Sequence, residues 1–391
     1  MGVFIDFTKA FDCIDKDIFI IKLERLGVRG PLLQLMKSYL TNRKQRTYYK
    51  GSWSNECNII YGAPQGSNLS PLIWQIYGND LPNSTSMLLS LFVDDTNGFV
   101  SNKNIQELFR RANIELSHLY RWIIANKLGM NSTKLYYLLF NFNQDIILPV
   151  LKIGDFVIPR ANYVKFLGLV LDEKLKWNIH IDTLCKKLSK LNGILYLVRN
   201  SLSPTALKCI YYSLVYSHLI YGISIWGGTY QTHLDPLIKA QKRIVRTISL
   251  ANRDAHTAPL FNELHLLTFN NIYKLFTTIL AFKCINMNYV TELCTPVRAI
   301  HQRNTRQSLY NLRKPPSRRV LLDKSVLCMV PSLWNSLPNN IKSCQTLNQF
   351  KLNVKLYLYS CQLRWVRLYK QVNLCANLVI IIINSNCKKC K

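Results

Sequence analysis

Apolar positions along the chain fall into two periods. LLSLFV, Leu88 to Val93, is a nearly unbroken apolar run of strand length and reads as a buried strand. Thr96, Asn97 and Gly98 then supply a turn before Phe99 and Val100 resume, which predicts a hairpin with Asp94 and Asp95 at its tip. A second apolar strand, Val3 to Ile5, delivers Asp6 at its end, and the small Ala10 with helix-compatible neighbours predicts a turn into a helix. Between them, Gly62, Pro64 and Gly66 force a loop before a helix from Leu69 to Tyr77, whose first turn tolerates Pro71. A hairpin is predicted over 151 to 172. The period then becomes helical, with Ile181, Leu184, Leu188, Leu191 and Leu195 recurring between Asn178 and Arg199, and Lys186, Lys187 and Lys190 beside them. The tyrosine-rich run 205 to 226, ending at Trp226, also reads as helical.

Composition changes the picture in one respect. A length of 391 residues, 49% hydrophobic, is enough for two or more folded domains. Its 50 Lys and Arg stand against 21 Asp and Glu, and the formal charge of +29 points to polyanionic partners, most simply nucleic acid. No signal peptide is recognisable, the apolar run at 378 to 383 is too short to span a bilayer, and no basic amphipathic helix sits beside an anchor. The twelve scattered cysteines read as free thiols, so an intracellular setting is expected, nucleus or cytoplasm and not secreted. Cys387 and Cys390 of the terminal CKKC have the spacing of half a zinc site, and no second pair follows them.

The chemistry lies in the carboxylates. Asp6 and the Asp94–Asp95 hairpin can be neighbouring strand ends of one sheet, where three clustered carboxylates repel one another unless divalent cations neutralise them. Two ions roughly 3.5–4 Å apart can activate an attacking hydroxyl and stabilise the leaving oxygen of a phosphoryl transfer. The glycine loop before the predicted helix lets backbone approach a ligand, and Gln65 offers an amide that both donates and accepts.

Five ordered segments carry a resemblance: DFTKAFD (6 to 12), GAPQGSNLSP (62 to 71), FVDD (92 to 95), NKLGMNSTK (126 to 134) and YVKFLGLVLDEKLKWNIHI (163 to 181). In this order they resemble palm motifs A to D and the primer-grip region of reverse transcriptases from non-LTR retrotransposons, most like the jockey-type elements. LVYSHLIYGISIWG (214 to 227), HTAPLFNELHLL (256 to 267) and VPSLWNSLPNNIK (330 to 342) also look like that group's thumb and following region.

The resemblance implies an RNA-directed DNA polymerase using two Mg²⁺ ions, with Mn²⁺ as a substitute, and taking an RNA template, a DNA primer and deoxynucleoside triphosphates. Asp6, Asp94 and Asp95 would be its catalytic metal ligands, with the Phe7 carbonyl near the nucleotide metal. Phe11 would lie under the nucleotide sugar, Gln65 and Gly66 would contact nucleotide and template base, and Lys134 would sit near the triphosphate. Phe166, Leu167 and Gly168 would hold the primer terminus, while Asp12 reads as a local structural partner. No membrane and no specific protein partner are implied.

The implied fold is α+β: a right-hand polymerase palm with partial fingers and the grip region over 1–182, a helical thumb over 183–250, and a basic, mainly helical region over 251–391. The last twenty or so residues carry no committed pattern, and 301–319 reads as an exposed basic strap. The family's preceding fingers and endonuclease segments are not in this sequence, so it reads as N-terminally truncated. Asn68, Ser70 and Leu135 depart from the usual motif residues. The alternatives are a telomerase-like palm polymerase, which the stretch after FVDD disfavours, and a catalytically inactive remnant that only binds nucleic acid.

Overall fold

A computed structural model describes residues 1–140, 147–287, 289–290, 293–296 and 310–363. The CKKC terminus, the rest of the last twenty residues, and 301–309 of the basic strap lie outside the described residues. By internal contacts the chain forms two units: Met1–Phe166 with Leu171–Leu175, and Leu167–Val170 with Lys176–Lys391. Helix and sheet are mixed, as in an α+β fold.

The first unit is organised by one antiparallel sheet. Its strands are β1 (Gly2–Asp6), β2 (Leu88–Phe92), β3 (Asp95–Phe99) and β4 (Tyr136–Leu138), in the order β2-β3-β1-β4. Strand alternation sends Val3 and Ile5 to the buried side, where they join Phe7 in a core built with three helices. α1 (Lys16–Arg25) contributes Phe19 and Leu23, and α2 (Gly30–Leu40) contributes Met36 and Leu40. α3 (Ser70–Tyr77) contributes Ile73, Trp74 and Tyr77. A fourth helix, α4 (Ile105–Ala125), adds a stripe of Leu108, Ala112, Leu116, Leu119 and Ile123, and the Asn104 side chain caps its start by accepting from Gln106 and Glu107 N–H.

Three expectations need correction. β2 is not buried: it is the sheet edge, partnered on one side only, and Leu88, Phe92 and Val93 are largely exposed. The hairpin turn consists of Val93 and Asp94 alone, since Phe92 pairs with Asp95. Thr96, Asn97 and Gly98 are buried inside β3, where Asn97 donates to Ser90 O at 3.3 Å. Gly98 is small for packing, because a Cβ there would stand 2.5 Å from the Met87 methyl. Finally, the first helix does not follow Ala10 directly. Ala10–Asp12 makes one 3-10 turn, and α1 starts at Lys16, where the buried Asp15 accepts from Asp17 and Ile18 N–H.

α3 starts within one residue of its predicted place. The 151–172 stretch holds two hairpins, Lys152–Ile153 with Phe156–Val157 and Tyr163–Phe166 with Leu169–Asp172. In the second unit, α5 (Asn178–Val198) packs against a helix over Gln231–Ile248. The predicted helix over 205 to 226 is interrupted: Pro204–Ile210 passes into a π turn, and Gly222 at φ 61 breaks the chain before Ile223–Trp226. Leu169 occupies the space a Cβ on Gly222 would need. Among the described residues, no helix is long and apolar enough to cross a membrane, and every cysteine is free.

Candidate active site

Strand register decides which carboxylates meet. Asp6 ends β1 directly opposite Asp95, the first residue of β3, so the two side chains share a sheet face with Phe4 and Asn97. Asp94 occupies the adjacent turn. Asp6 is held from a different direction: its Oδ2 accepts from Lys134 Nζ at 3.1 Å and Asn131 Nδ2 at 3.3 Å, and its carbonyl accepts from Asn131 N–H at 2.9 Å. Asn131 also caps the short turn Ser132–Lys134, which aims Lys134 at Asp6.

Burial pushes the Asp95 carboxyl above the usual carboxylate range. The negative charges of Asp94 and Asp6 push it the same way, while the Lys134 ammonium opposes them. One ammonium therefore faces three carboxylates, and that excess negative charge fits a divalent cation. Among the described residues, no group of three or more acidic, histidine or cysteine side chains is placed to hold a metal ion as the side chains stand. The observed constellation is a cross-strand pair with Asp94 alongside, Asp6 being turned to Lys134 and Asn131. A cleft of ≈ 700 Å³ opens beside it, lined by Asp6, Asp95, Asn97, Lys134 and Tyr136 and by residues 161–166. That volume is in the range of small-molecule sites.

The glycine loop is locked to the segment after β1. Gly62 lies at φ 85, and a Cβ there would stand 2.9 Å from Asp12 Cα; its N–H donates to Ile14 O, and Ala63 N–H donates to Phe11 O. Gln65 Nε2 donates to Asp12 Oδ1 at 2.8 Å, so both ends of this contact come from predicted motifs. Gly66 has open space around it, and its φ of 80 is what calls for glycine.

Phe7 is a core residue, edge-on to Trp74 at 5.9 Å, and Phe11 is half-buried with its ring 5.8 Å from the same indole. Trp74 Nε1 in turn donates to Val93 O at 2.6 Å. Trp74 and Asn131, which are not among the predicted site residues, thus brace Val93 and Asp6. The usable signal was a tryptophan on the buried face of α3, whose N–H must find an acceptor.

The three predicted grip residues are split between the units. Phe166 stays in the first, edge-on to Phe4 at 6.0 Å. Leu167 (φ 44) and Gly168 (φ 78) form a turn in the second, where the Tyr221 hydroxyl donates to Leu167 O and its ring approaches Gly168. Val170 N–H donates to His180 Nδ1 at 3.4 Å. The His180 ring lies between Trp177 and Trp226, with centroids at 6.3 and 5.3 Å, and its Nε2 has no hydrogen-bond partner among the described residues. Burial, with the charge of Lys187 second, pushes the imidazole down to about 4.

Comparison with known proteins finds likeness over the same part of the chain. Residues 1–171 match the family described as reverse transcriptase (RNA-dependent DNA polymerase). A probable RNA-directed DNA polymerase from transposon X-element of Drosophila melanogaster is 28% identical over 284 residues, 68% of this chain and 31% of that protein. The RNA-directed DNA polymerase from mobile element jockey of Drosophila funebris is 28% identical over 259 residues, 63% of this chain and 28% of that protein. This chain therefore spans about a third of the length of the relatives it matches. A solved structure of telomerase from Candida albicans with a fragment of telomeric RNA covers 74% of this chain and 49% of that one, at TM-score 0.30 and 13% identity, too low a likeness to argue from. Residues 1–171 are therefore similar to the reverse transcriptases of non-LTR retrotransposons.

Proposed function

We propose that this chain carries RNA-directed DNA polymerisation for a non-LTR retrotransposon. In that reaction a primer 3′-oxygen bonds to the α-phosphorus of a deoxynucleotide paired to an RNA template. The bond from that phosphorus to the bridging oxygen breaks, and pyrophosphate leaves. The observation that carries the reading is the Asp6–Asp95 register with Asp94 in the adjoining turn, inside the segment that matches the family.

In this reading Asp6, Asp94 and Asp95 would hold two Mg²⁺ ions, or Mn²⁺, which would supply Lewis-acid stabilisation of the attacking and leaving oxygens. Lys134 exchanges Asp6 for the triphosphate and can donate a proton to the departing pyrophosphate. Gln65 and Gly66 meet the nucleotide and its template base, Gln65 giving up its bond to Asp12. Phe7 would offer its carbonyl on the nucleotide side of the site, and Phe11 would lie under the sugar. Phe166, Leu167 and Gly168 hold the primer end. The α+β arrangement is then a palm over 1–182 with partial fingers, a thumb over 183–250 and a basic region over 251–391, working inside the cell.

Primer extension on an RNA template tests it. Asp6→Asn and Asp94→Asn should each lower extension by about a thousandfold or more, in the range of losing a catalytic group, while nucleic-acid affinity stays within about twofold. A second readout needs no turnover: Mg²⁺ should raise the Tm of the wild-type chain through linkage and leave Asp95→Asn unmoved. Extension by either variant at the wild-type rate sinks the assignment.

A further inference from the structure

Between α2 and the loop carrying Gln65, residues 43–59 fold back on themselves as one antiparallel ribbon. Arg43–Gln45 pairs with Cys57–Ile59, and Tyr48–Tyr49 pairs with Ser52–Trp53. Ser54 N–H to Thr47 O and Thr47 N–H to Ser54 Oγ, both at 2.8 Å, join the two ladders. Lys50 and Gly51, at φ 47 and 86, close the tip with the two-residue geometry that suits strand twist. The foot is tied down: Lys16 Nζ donates to Ile59 O at 2.7 Å, and the Arg43 guanidinium donates to Gly62 O. Gly62 is the residue packed on Asp12, so the ribbon rises from the loop that holds Gln65.

Its surface chemistry is specific. From Arg43 to Glu56 there is no aliphatic side chain, and the apolar area is all aromatic. Tyr48, Tyr49 and Trp53 are 57%, 69% and 56% exposed. Four cations stand in this stretch against one carboxylate, and Lys44 engages that carboxylate, Glu56, at 3.1 Å. The Arg46 guanidinium lies 4.3 Å over the Trp53 ring, which is 4.9 Å from Tyr48, and Lys50 lies 5.3 Å over Tyr49.

Flat rings flanked by cations suit a chain of bases and phosphates. Bases stack on ring faces without regard to sequence, while guanidinium and ammonium groups take the phosphates. Exposed tyrosine, tryptophan and arginine also suit a protein partner, but protein interfaces are depleted of lysine and of unbalanced charge at their centre, and four cations against one carboxylate favour a polyanion.

We propose that the 43–59 ribbon is a docking site for single-stranded nucleic acid, bases stacking on Tyr48 and Trp53 and phosphates meeting Arg46 and Lys50. This rests on the polymerase reading: the occupant is the unpaired template strand approaching the Gln65 loop. The contact is independent of sequence, since nothing on the ribbon is set to read base edges.

The test is fluorescence anisotropy with the full chain and two labelled duplexes of equal paired length, one blunt and one with an unpaired 5′ overhang, made in turn of RNA and DNA. The overhang should tighten binding about tenfold, as expected for one or two stacked bases. Trp53→Ala and Tyr48→Ala should each remove most of that gain without changing blunt-duplex affinity, and Trp53→Phe should restore it. These side chains are exposed, and an unchanged circular dichroism spectrum checks that the variants fold. Equal wild-type affinity for the two duplexes overturns the ribbon assignment and leaves the polymerase reading standing. So does a Trp53→Ala variant that keeps the overhang gain, or one that changes only the oligomeric state. Binding of neither duplex overturns both.

Discussion

The indole Nε1 of Trp74 donates a 2.6 Å hydrogen bond to the carbonyl oxygen of Val93, the residue immediately before Asp94. Val93 sits at φ 55, a region that a β-branched side chain enters only when its surroundings hold it there. The same indole meets Phe7 edge-on and Phe11 at a tilt. One side chain of α3 therefore links the segment after Asp6 to the turn that presents Asp94. The relative placement of the candidate carboxylates depends on the helix behind them as well as on the sheet.

Trp74→Phe keeps an aromatic ring in the core and removes the donor. The lost hydrogen bond should cost about 1–2 kcal/mol of stability, measured by urea unfolding. It should also speed amide exchange at Asp94 and Asp95 relative to β1. Exchange that slows or stays the same at these two amides would show that the turn holds its shape without the indole.

Much of this site was legible as pattern. The apolar run ending in Asp6, the paired aspartates after a strand, and the glycine loop before an amphipathic helix all formed near their expected places. What periodicity could not convey was context. A strand of apolar residues looks the same whether neighbours cover it on both sides or, like β2, on one. Thr96, Asn97 and Gly98 carry turn chemistry, yet they lie in a central strand because Met87 fills the space above Gly98 and β1 pairs with their backbone. Gly222 was hidden inside a helical-looking run, since one reason for a glycine there is the Leu169 side chain beside it, more than fifty positions earlier in the chain.

Acid stability should report on His180. Its folded-state pKa, about 4, lies below the ordinary 6.5, so folding favours the neutral ring. The sign follows from linkage: the stabilisation is complete above about pH 6.5 and is lost as pH falls towards 4, because the unfolded chain binds the proton first. Between pH 7 and pH 5 the unfolding free energy should fall by about 2 kcal/mol from this group. His180→Gln leaves an acceptor for Val170 N–H but cannot titrate, and should flatten that part of the profile. An identical slope in the two proteins would mean that the ring is protonated, or solvated, in the folded chain.

The half-buried ring of Phe11 separates two readings of one residue. Its position five residues beyond Asp6 resembles the aromatic that lies beneath the nucleotide sugar, where a 2′-hydroxyl would collide with it. Its contact with Trp74 at 5.8 Å instead makes it part of the packing behind the aspartate turn. Phe11→Val shortens the side chain in both roles, at an expected stability cost of about 1–2 kcal/mol for a partly buried ring. If the ring gates the sugar, the variant's kcat/KM for ribonucleotides should rise relative to deoxynucleotides by about tenfold or more, because steric exclusion acts on the difference between substrates. If packing alone is lost, both substrates should slow by the same factor, and raising the Mg²⁺ concentration or lowering the temperature should restore both together. The ratio of the two rates, measured on one template below the Tm of the variant, distinguishes the two roles without needing an absolute rate.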